Sequence, residues 1–247
     1  MTTSICIVIP AYNEQDRITN TIHQYAQFFA TDAAARRYEV LFLVMLNGCV
    51  DNTRAIVQKL GAQYPNVRAY EIPEAGKGLA IKIGFQHALL AEYNLIGFVD
   101  ADMATIPAQF MALIQHIGDA DGIIASRYMP GAKTFPERPW IKRWGSKIFY
   151  ENLVGFLFGL RYHDYQCGAK LFKRTTLEAL VPHLTVTQWA FDVELLYWCK
   201  RLGFWIKEFP TIWYDRTGSK LTIFGSGLPM LSALVRLRMR IWLSGRG

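Results

Sequence analysis

The chain has 247 residues, of which 51% are hydrophobic, 14% aromatic and 19% charged. This composition excludes a disordered chain, and the length suits one large α/β domain with a full core. The formal net charge of +7 favours an anionic partner, which leaves nucleic acid, an anionic membrane surface and phosphorylated substrates as candidates.

Four cysteines, Cys6, Cys49, Cys167 and Cys199, show neither a CxxC spacing nor a zinc pattern. They predict a reducing compartment, and Cys167 is predicted to be a small buried residue rather than a nucleophile. The N-terminus carries no signal-peptide pattern, and no apolar run approaches the roughly 20 residues that span a bilayer. We therefore expect a cytoplasmic protein whose contact with any membrane is peripheral.

Strands and helices alternate through the first half of the chain. Pro10 ends the first strand, Asn13 is predicted to cap the first helix, and Asp51 and Gly76 precede the next two helices. This alternation predicts a parallel sheet wound by right-handed crossovers. The predicted strands, recognised as short apolar runs, cover residues 5–9, 40–46, 67–72, 95–99, 122–125, 169–172 and 204–209.

The second half is less regular. Residues 129–139 are rich in Pro, Gly and charge and are predicted to form a mobile loop. Thr185 opens a capping-box pattern, which predicts that a helix starts there. Two segments, 140–160 and 228–243, combine bulky apolar residues with basic ones. We expect both to lie at an anionic membrane surface; the alternative for the terminal one is an ordinary amphipathic helix packed on the core.

Two aspartates, Asp100 and Asp102, follow the predicted strand 95–99 directly. That strand would deliver both carboxylates to the carboxyl edge of the sheet, where ligands of open α/β sheets bind. Two close carboxylates repel each other unless a cation lies between them, and Mg²⁺ or Mn²⁺ prefers such oxygen ligands. The pair therefore predicts a metal site; the alternative is a solvated turn.

Three further turns follow strands in the first half and carry polar or glycine residues. Together with the acid pair, the motifs are Pro10-Ala11-Tyr12-Asn13-Glu14, Asn47-Gly48-Cys49-Val50-Asp51-Asn52-Thr53, Gly76-Lys77-Gly78 and Asp100-Ala101-Asp102. In this order they resemble the motifs of family 2 glycosyltransferases. The resemblance implies a GT-A (nucleotide-diphospho-sugar transferase) fold, which is α/β with a mostly parallel central sheet flanked by helices. It also implies an inverting, metal-dependent transfer from a nucleotide-sugar.

Later motifs are similar to those of the branch that glucosylates dolichyl phosphate. They are Asp100 to Thr105, Ser126-Arg127, Asp164 to Phe172, Trp189 to Glu194 and Ser219-Lys220-Leu221. This resemblance implies transfer of a hexose, expected to be glucose, from a UDP-sugar to a polyprenyl or dolichyl phosphate at the cytosolic membrane face.

The resemblance covers nearly the whole chain and suggests its organisation. Residues 1–227 would form the catalytic domain, with a nucleotide-sugar-binding half, 1–126, and an acceptor half, 127–227, that contains the interface segment 140–160. Residues 228–247 would form a basic amphipathic C-terminal helix.

The expected site residues divide into a donor side and an acceptor side. Arg127 suits an acceptor phosphate because its planar fork matches phosphate oxygens; the alternative is an ion pair. The resemblance places the donor-binding residues at Pro10, Ala11, Tyr12, Glu14, Asn47, Asp51, Lys77, Asp100, Ala101 and Lys220, and the acceptor-binding residues at Arg127, Gln166, Lys170 and Arg216. The metal ligands would be Asp100 and Asp102.

A general base is expected to contribute little, because a lipid phosphate is already anionic near pH 7. Asp164 and Asp192 are the candidates for that role, beside Arg127 as the third expected catalytic residue. Asp192 and Glu194 are two residues apart on a predicted helix, so only one of them is expected to reach the site.

Three alternative functions stay open. Asn47 stands where the family usually carries aspartate, which leaves the nucleobase undetermined and keeps mannosyl transfer from a GDP-sugar as an alternative. A second is a soluble or peripheral family 2 enzyme that acts on a saccharide acceptor. A third is a non-catalytic module whose basic face docks on lipid or nucleic acid. The paired carboxylates argue against this last function, and no nucleic-acid-binding motif is recognisable.

Overall fold

The computed structural model describes residues 2–136, 150–188, 190–215 and 227–243. The strands are β1 (Thr3–Ala11), β2 (Tyr38–Asn47), β3 (Val67–Ile72), β4 (Leu95–Val99), β5 (Gly122–Ser126), β6 (Lys133–Phe135), β7 (Ala169–Lys173), β8 (Ile206–Pro210) and β9 (Ile212–Tyr214). The helices are α1 (Ile18–Thr31), α2 (Thr53–Gln63), α3 (Lys77–Leu90), α4 (Pro107–His116), α5 (150–158), α6 (Arg174–Leu180), α7 (Phe191–Arg201) and α8 (Gly227–Leu243), with a 3₁₀ turn at Val181–His183.

Seven strands form one sheet in the order β3-β2-β1-β4-β7-β5-β8. All neighbouring pairs are parallel except those of β7, which runs antiparallel to both β4 and β5. The predicted α/β class with a mostly parallel sheet is therefore confirmed. Strands β6 and β9 pair in parallel as a separate two-stranded sheet, which the sequence analysis did not predict.

The central part of the sheet is covered on both faces, which explains why strands such as β1, β4 and β5 are continuous apolar runs. Along β1, Ile5, Ile7 and Ile9 pack into the layer with α1, α2 and α4, whereas Cys6 and Val8 pack into the opposite layer with α3, α7 and α8. Successive side chains of a strand point to opposite faces of the sheet, so each apolar run contributes side chains to both core layers.

Two predicted helix starts are wrong. Helix α1 begins at Ile18, and Asn13 adopts a left-handed conformation with φ 53°, from which its Oδ1 accepts the Val50 N–H at 2.9 Å. Helix α7 begins at Phe191, well after Thr185. Asn13 instead links the loops that follow β1 and β2, and the Thr185 hydroxyl instead binds Glu194 of α7.

The region predicted as a mobile loop at 129–139 contains β6 within its described part. Residues 140–149 of the predicted interface segment 140–160 lie outside the described part of the structure. Residues 150–158 of the same segment form α5. On helix α8, Leu234, Leu237 and Ile241 are buried in the core, whereas Trp242 is exposed. No helix among the described residues is both long and apolar enough to cross a membrane.

Candidate active site

The candidate site lies where β4 and β5 end and β7 begins. The Asp100 N–H donates to the Gly168 carbonyl at 2.9 Å, which extends the β4–β7 ladder by one bond. A Cβ on residue 168 would lie 1.8 Å from Asp100 Oδ2, so only glycine leaves room for this carboxylate. The antiparallel strand β7 thus brings the segment before it onto the carboxyl edge of the parallel strands.

The acid pair fits a hard divalent cation. Burial raises the pKa of Asp102, and the nearby charge of Asp100 raises it further, as expected for two carboxylates that share one site. Asp102 Oδ1 is oriented by the Ala104 N–H at 2.9 Å. The described residues hold no cluster of three or more ligating side chains. Two carboxylates suffice for Mg²⁺ or Mn²⁺ when substrate phosphates complete the coordination sphere.

Lys77, at the first turn of α3, lies beside this pair. Its Nζ is 2.6 Å from Asp100 Oδ1. Burial alone would lower the pKa of Lys77, but the charges of Asp100 and Asp192 outweigh it and raise the pKa instead. The ammonium therefore stays charged at the helix N-terminus, where phosphate groups bind readily. The structure places Lys77 in the predicted donor cluster.

The structure gives Asn47 an internal position. Its side chain is buried; Nδ2 donates to the Ala11 carbonyl at 2.9 Å, and Oδ1 accepts the Gly76 N–H at 3.1 Å. These bonds tie together the turns that follow β1, β2 and β3. The expectation that Asn47 contacts the nucleobase is corrected, because both ends of its amide are already engaged by backbone groups.

The other predicted donor residues surround these turns. Tyr12 is 43% exposed, whereas Ala101 is buried and its carbonyl accepts the Thr21 hydroxyl at 2.6 Å. Glu14 binds Arg17 in a two-point contact at 2.6 and 2.7 Å. Pro10 and Ala11 end β1 and are buried, and Asp51 Oδ1 accepts the Thr53 N–H at 3.0 Å. Tyr12 is therefore the best-placed side chain of the first turn to meet a nucleoside.

Arg127 and Asp164 form a buried two-point ion pair on the acceptor side. Arg127 Nε lies 2.7 Å from Asp164 Oδ2, and Nη2 lies 2.9 Å from Oδ1. The Arg127 N–H and the Gln166 N–H also donate to this carboxylate, at 3.0 and 3.1 Å. Burial would raise the pKa of Asp164, but the charge and hydrogen bonds of Arg127 prevail and lower it. Asp164 is 2% exposed. It is thus arranged to orient Arg127, which argues against its expected role as a general base.

Lys170 and Asp192 form a second buried pair, with Nζ 2.6 Å from Oδ1. Lys170 is 0% exposed and also donates to the Cys167 carbonyl at 2.8 Å. The expectation that Lys170 contacts the acceptor directly is therefore wrong, and Asp192 serves it as counterion. Glu194 points elsewhere, since it accepts the Thr185 and Val186 N–H groups.

Three remaining expectations concern Cys167, Arg216 and Lys220. Cys167 is buried, and burial raises the pKa of its thiol to about 12, which confirms a packing residue. Arg216 and Lys220 lie outside the described residues.

One aromatic residue beside Arg127 was missed. The Arg127 Cζ lies 5.0 Å from the ring centre of Trp213. Trp213 lies on the three-residue strand β9, too short for a period-2 pattern, so only its place between two apolar or aromatic neighbours could have marked it.

The order of strands, with the acid pair after β4, matches the GT-A fold. The crystal structure of glucosyl-3-phosphoglycerate synthase from Mycobacterium tuberculosis in complex with UDP superimposes with a TM-score of 0.65 at 18% identity, over 96% of this chain and 80% of that chain. Mannosyl-3-phosphoglycerate synthase from Rubrobacter xylanophilus gives a TM-score of 0.69 at 15% identity, over 99% and 76%. The predicted fold is confirmed.

The sequence model of glycosyl transferase family 2 matches residues 6–181, and the chain belongs to this family. The dolichyl-phosphate beta-glucosyltransferase of Drosophila melanogaster is 34% identical over 248 residues, covering 92% of this chain and 72% of that protein. The glycosyltransferase AglD of Haloferax volcanii is 30% identical over 235 residues, which are 94% of this chain. The chain spans only 36% of AglD.

Proposed function

We propose that the protein transfers glucose from UDP-glucose to a polyprenyl phosphate at the cytosolic face of a membrane, with Mg²⁺ or Mn²⁺. The observation that carries this proposal is the placement of two charged clusters on either side of β7. The acids Asp100 and Asp102 follow β4, and Arg127 follows β5. Neighbouring strands are about 4.8 Å apart, so the two strand ends are separated by roughly 10 Å. That spacing suits a sugar held between a leaving diphosphate and an attacking phosphate.

The relatives support the choice of acceptor and donor. The Drosophila protein, aligned over most of both chains, is named a dolichyl-phosphate beta-glucosyltransferase, and the same name applies to relatives from Dictyostelium discoideum and Saccharomyces cerevisiae. Structures of the mycobacterial synthase contain UDP with Mg²⁺ or Mn²⁺. The relatives' names favour glucose over mannose and a lipid phosphate over a saccharide, and the UDP-bound synthase supports UDP as the nucleotide.

The chain's own residues would perform the reaction mainly by positioning and electrostatics. Asp100 and Asp102 would hold the cation, whose charge would offset the negative charge of the leaving diphosphate. Lys77 adds a second positive charge at the N-terminus of α3. Arg127, held rigidly by Asp164, orients the acceptor phosphate for attack on the far side of the anomeric carbon. The phosphate is an anion already, so no side chain needs to remove a proton.

A continuous surface formed by α5 and α8 is the proposed membrane contact. On α8, Trp242 is 71% exposed and Met239, one turn before it, is 51% exposed. Arg236 is exposed on another face of the same helix. On α5, Phe156 is 86% exposed, and it lines the same cavity of about 310 Å³ as Arg238 of α8. Aromatic and basic side chains together favour the interface of an anionic bilayer.

Transfer of labelled glucose from UDP-glucose to a short-chain polyprenyl phosphate tests the proposal. We expect a lipid-linked product with Mn²⁺ and none with EDTA. GDP-mannose and a saccharide acceptor serve as matched alternatives in parallel reactions. Product from either alternative, with none from the proposed pair, would overturn the assignment of donor or acceptor.

A further inference from the structure

A cavity of about 310 Å³ lies between α5, α7 and α8. Lys200 and Arg201 line it from the last turn of α7, and Arg238 lines it from α8. Asp192, which belongs to the candidate active site, is in the first turn of α7, roughly 12 Å from Lys200 along the helix axis. The cavity is therefore separate from the active-site cluster.

The charged side chains of this cavity are all basic. No acidic side chain lines it within the described ranges. An adjoining cavity shares Lys200 and is lined by one further base, Arg161, and by one acid, Glu151. The two cavities together keep a surplus of positive charge, which favours an anionic ligand.

Local structure accounts for Lys200 but not for Arg238. Lys200 Nζ donates to the Gly159 carbonyl at 2.6 Å, and a lysine in the last turn of α7 also suits the negative end of the helix dipole. Arg238 is half-buried and makes no hydrogen bond or ion pair in the described part of the structure. A partly desolvated charge without a counterion is costly, so Arg238 favours an external anion.

Exposed apolar side chains flank the cavity on both α5 and α8. Phe156, which lines it from α5, is 86% exposed. On α8, Val235 and Trp242 lie three residues before and four residues after Arg238, so they share its side of the helix. They are 41% and 71% exposed. A free anion would gain nothing from these side chains, whereas the acyl chains of a lipid would cover them.

We propose that this cavity binds the phosphate of an anionic phospholipid, with Arg238 and Lys200 as its contacts. Phe156 and Trp242 would enter the acyl region beside the bound headgroup. Long basic side chains reach the headgroup level of a bilayer while aromatic rings lie at the acyl boundary, which matches this arrangement. The site rests on the membrane contact proposed for α5 and α8, and it adds to that contact a saturable preference for one class of headgroup.

Calorimetric titration with short-chain phosphatidylglycerol, kept below its micelle concentration, tests the site. Short-chain phosphatidylcholine lacks the net charge and inorganic phosphate lacks the acyl chains, so these two are the ligand controls. Arg238→Gln and Lys200→Gln each remove one positive charge. Arg236→Gln is the matched control for the first, because Arg236 is exposed on another face of α8. Lys207→Gln is the matched control for the second, because Lys207 also donates to one backbone carbonyl, that of His116 at 2.9 Å.

We expect saturable binding of phosphatidylglycerol and weaker binding of both ligand controls. Arg238→Gln and Lys200→Gln should each weaken the binding of phosphatidylglycerol by about fivefold, the contribution of one basic residue at an anionic lipid surface. Arg236→Gln and Lys207→Gln should bind it like the wild type. If Lys200→Gln fails to fold because the bond to Gly159 is lost, Arg238→Gln decides the test.

Four results overturn the site. The first is no binding of phosphatidylglycerol, the second is wild-type affinity in Arg238→Gln, and the third is an equal loss in Arg236→Gln, since net charge alone would then explain the binding. The fourth is equally tight binding of inorganic phosphate, which would make the cavity a site for free anions.

The same titration with a short-chain isoprenyl monophosphate separates this site from the acceptor site. Tighter binding of that ligand, lost in Arg238→Gln, would assign the cavity to the acceptor and overturn the choice of a phospholipid. None of these titrations contains a sugar donor. Absence of glucose transfer by the wild-type protein would therefore overturn the proposed function, while the phospholipid site is still decided by the binding data.

Discussion

The carboxylate of Asp100 occupies the space that a side chain at Gly168 would need. A Cβ there would lie 1.8 Å from Oδ2 and 2.2 Å from the carboxyl carbon. The two residues are also joined by the hydrogen bond between the Asp100 N–H and the Gly168 carbonyl. The position of the first acid is therefore fixed by the segment that enters β7, far along the chain.

Replacing Gly168 by alanine tests this relationship. We expect Gly168→Ala to displace Asp100, to lower the unfolding free energy by roughly 1–3 kcal/mol and to weaken binding of Mn²⁺ in the presence of UDP. Gly61→Ala in α2 is the control, because its Cβ would meet nothing closer than 3.4 Å and alanine favours a helix. Equal Mn²⁺ affinity in Gly168→Ala and the wild type would contradict the prediction.

Asp102→Asn should abolish transfer while preserving the fold. Loss of one metal ligand weakens stabilisation of the negative charge on the leaving diphosphate by several kcal/mol. We therefore expect the transfer rate to fall by roughly a thousandfold. The melting temperature should not fall, because burial and Asp100 already disfavour the charged form of Asp102. Transfer assays and thermal melts check both parts, with the exposed Asp119→Asn as control. Near-normal turnover in Asp102→Asn would remove Asp102 from the metal site.

Lys77→Met should strengthen binding of Mn²⁺ to the protein without nucleotide. The Lys77 ammonium and a metal ion compete for Asp100 Oδ1, which lies 2.6 Å from Nζ. We expect a gain of roughly two- to fivefold, the range for a partly exposed ion pair, measured by electron paramagnetic resonance of free Mn²⁺. Lys82→Met on the same helix is the control, because Lys82 donates to the Leu184 carbonyl instead. Unchanged affinity in Lys77→Met shows that the two cations do not compete.

Asp164→Asn should destabilise the fold in a manner that depends on pH. Breaking a buried ion pair costs about 3–5 kcal/mol near neutral pH. The folded-state pKa of Asp164 lies below its ordinary value of 3.8, so its contribution is complete above that value and is lost as the pH falls through the folded pKa. The difference in unfolding free energy between wild type and variant, measured with urea, should therefore shrink below pH 3.8. A difference that stays constant on acidification contradicts the assignment.

Phe156→Ser and Trp242→Ser should each weaken binding to anionic vesicles. Burying one aromatic side chain at the interface accounts for a change of roughly tenfold in partition. Val50→Ser is the matched control, because Val50 is 88% exposed but follows β2 at a different edge of the protein. Co-sedimentation with vesicles that contain phosphatidylserine measures the effect. An equal loss of vesicle binding in all three variants would show that the surface of α5 and α8 is not a specific membrane contact.

The sequence was sufficient to predict the strands of the seven-stranded sheet and the place of the acid pair after β4, because both depend on local patterns. Runs such as 5–9 and 95–99 are apolar on both faces, which only a covered sheet accommodates. The pairing of Arg127 with Asp164 was not predictable, because the partners are 37 residues apart and meet only once β5 and β7 have paired.

The position of Lys170 was also not predictable, because its partner is distant in sequence. A lysine in a short strand suggests a surface position or a ligand contact, yet its counterion Asp192 lies 22 residues away on α7. The strands β6 and β9 were missed because three residues carry too little pattern to distinguish a strand from a loop.

The position of β7 in the sheet also constrains the assembly of the enzyme. Strands β4 and β5 both precede β7 in the chain, yet they do not pair with each other in the large sheet. Each of them pairs with β7 instead. A nascent polypeptide that ends before residue 169 leaves the edge of β4 open and β5 without its connection to the sheet. We therefore expect the acceptor-side pair Arg127–Asp164 to form only after β7 has joined β4 and β5.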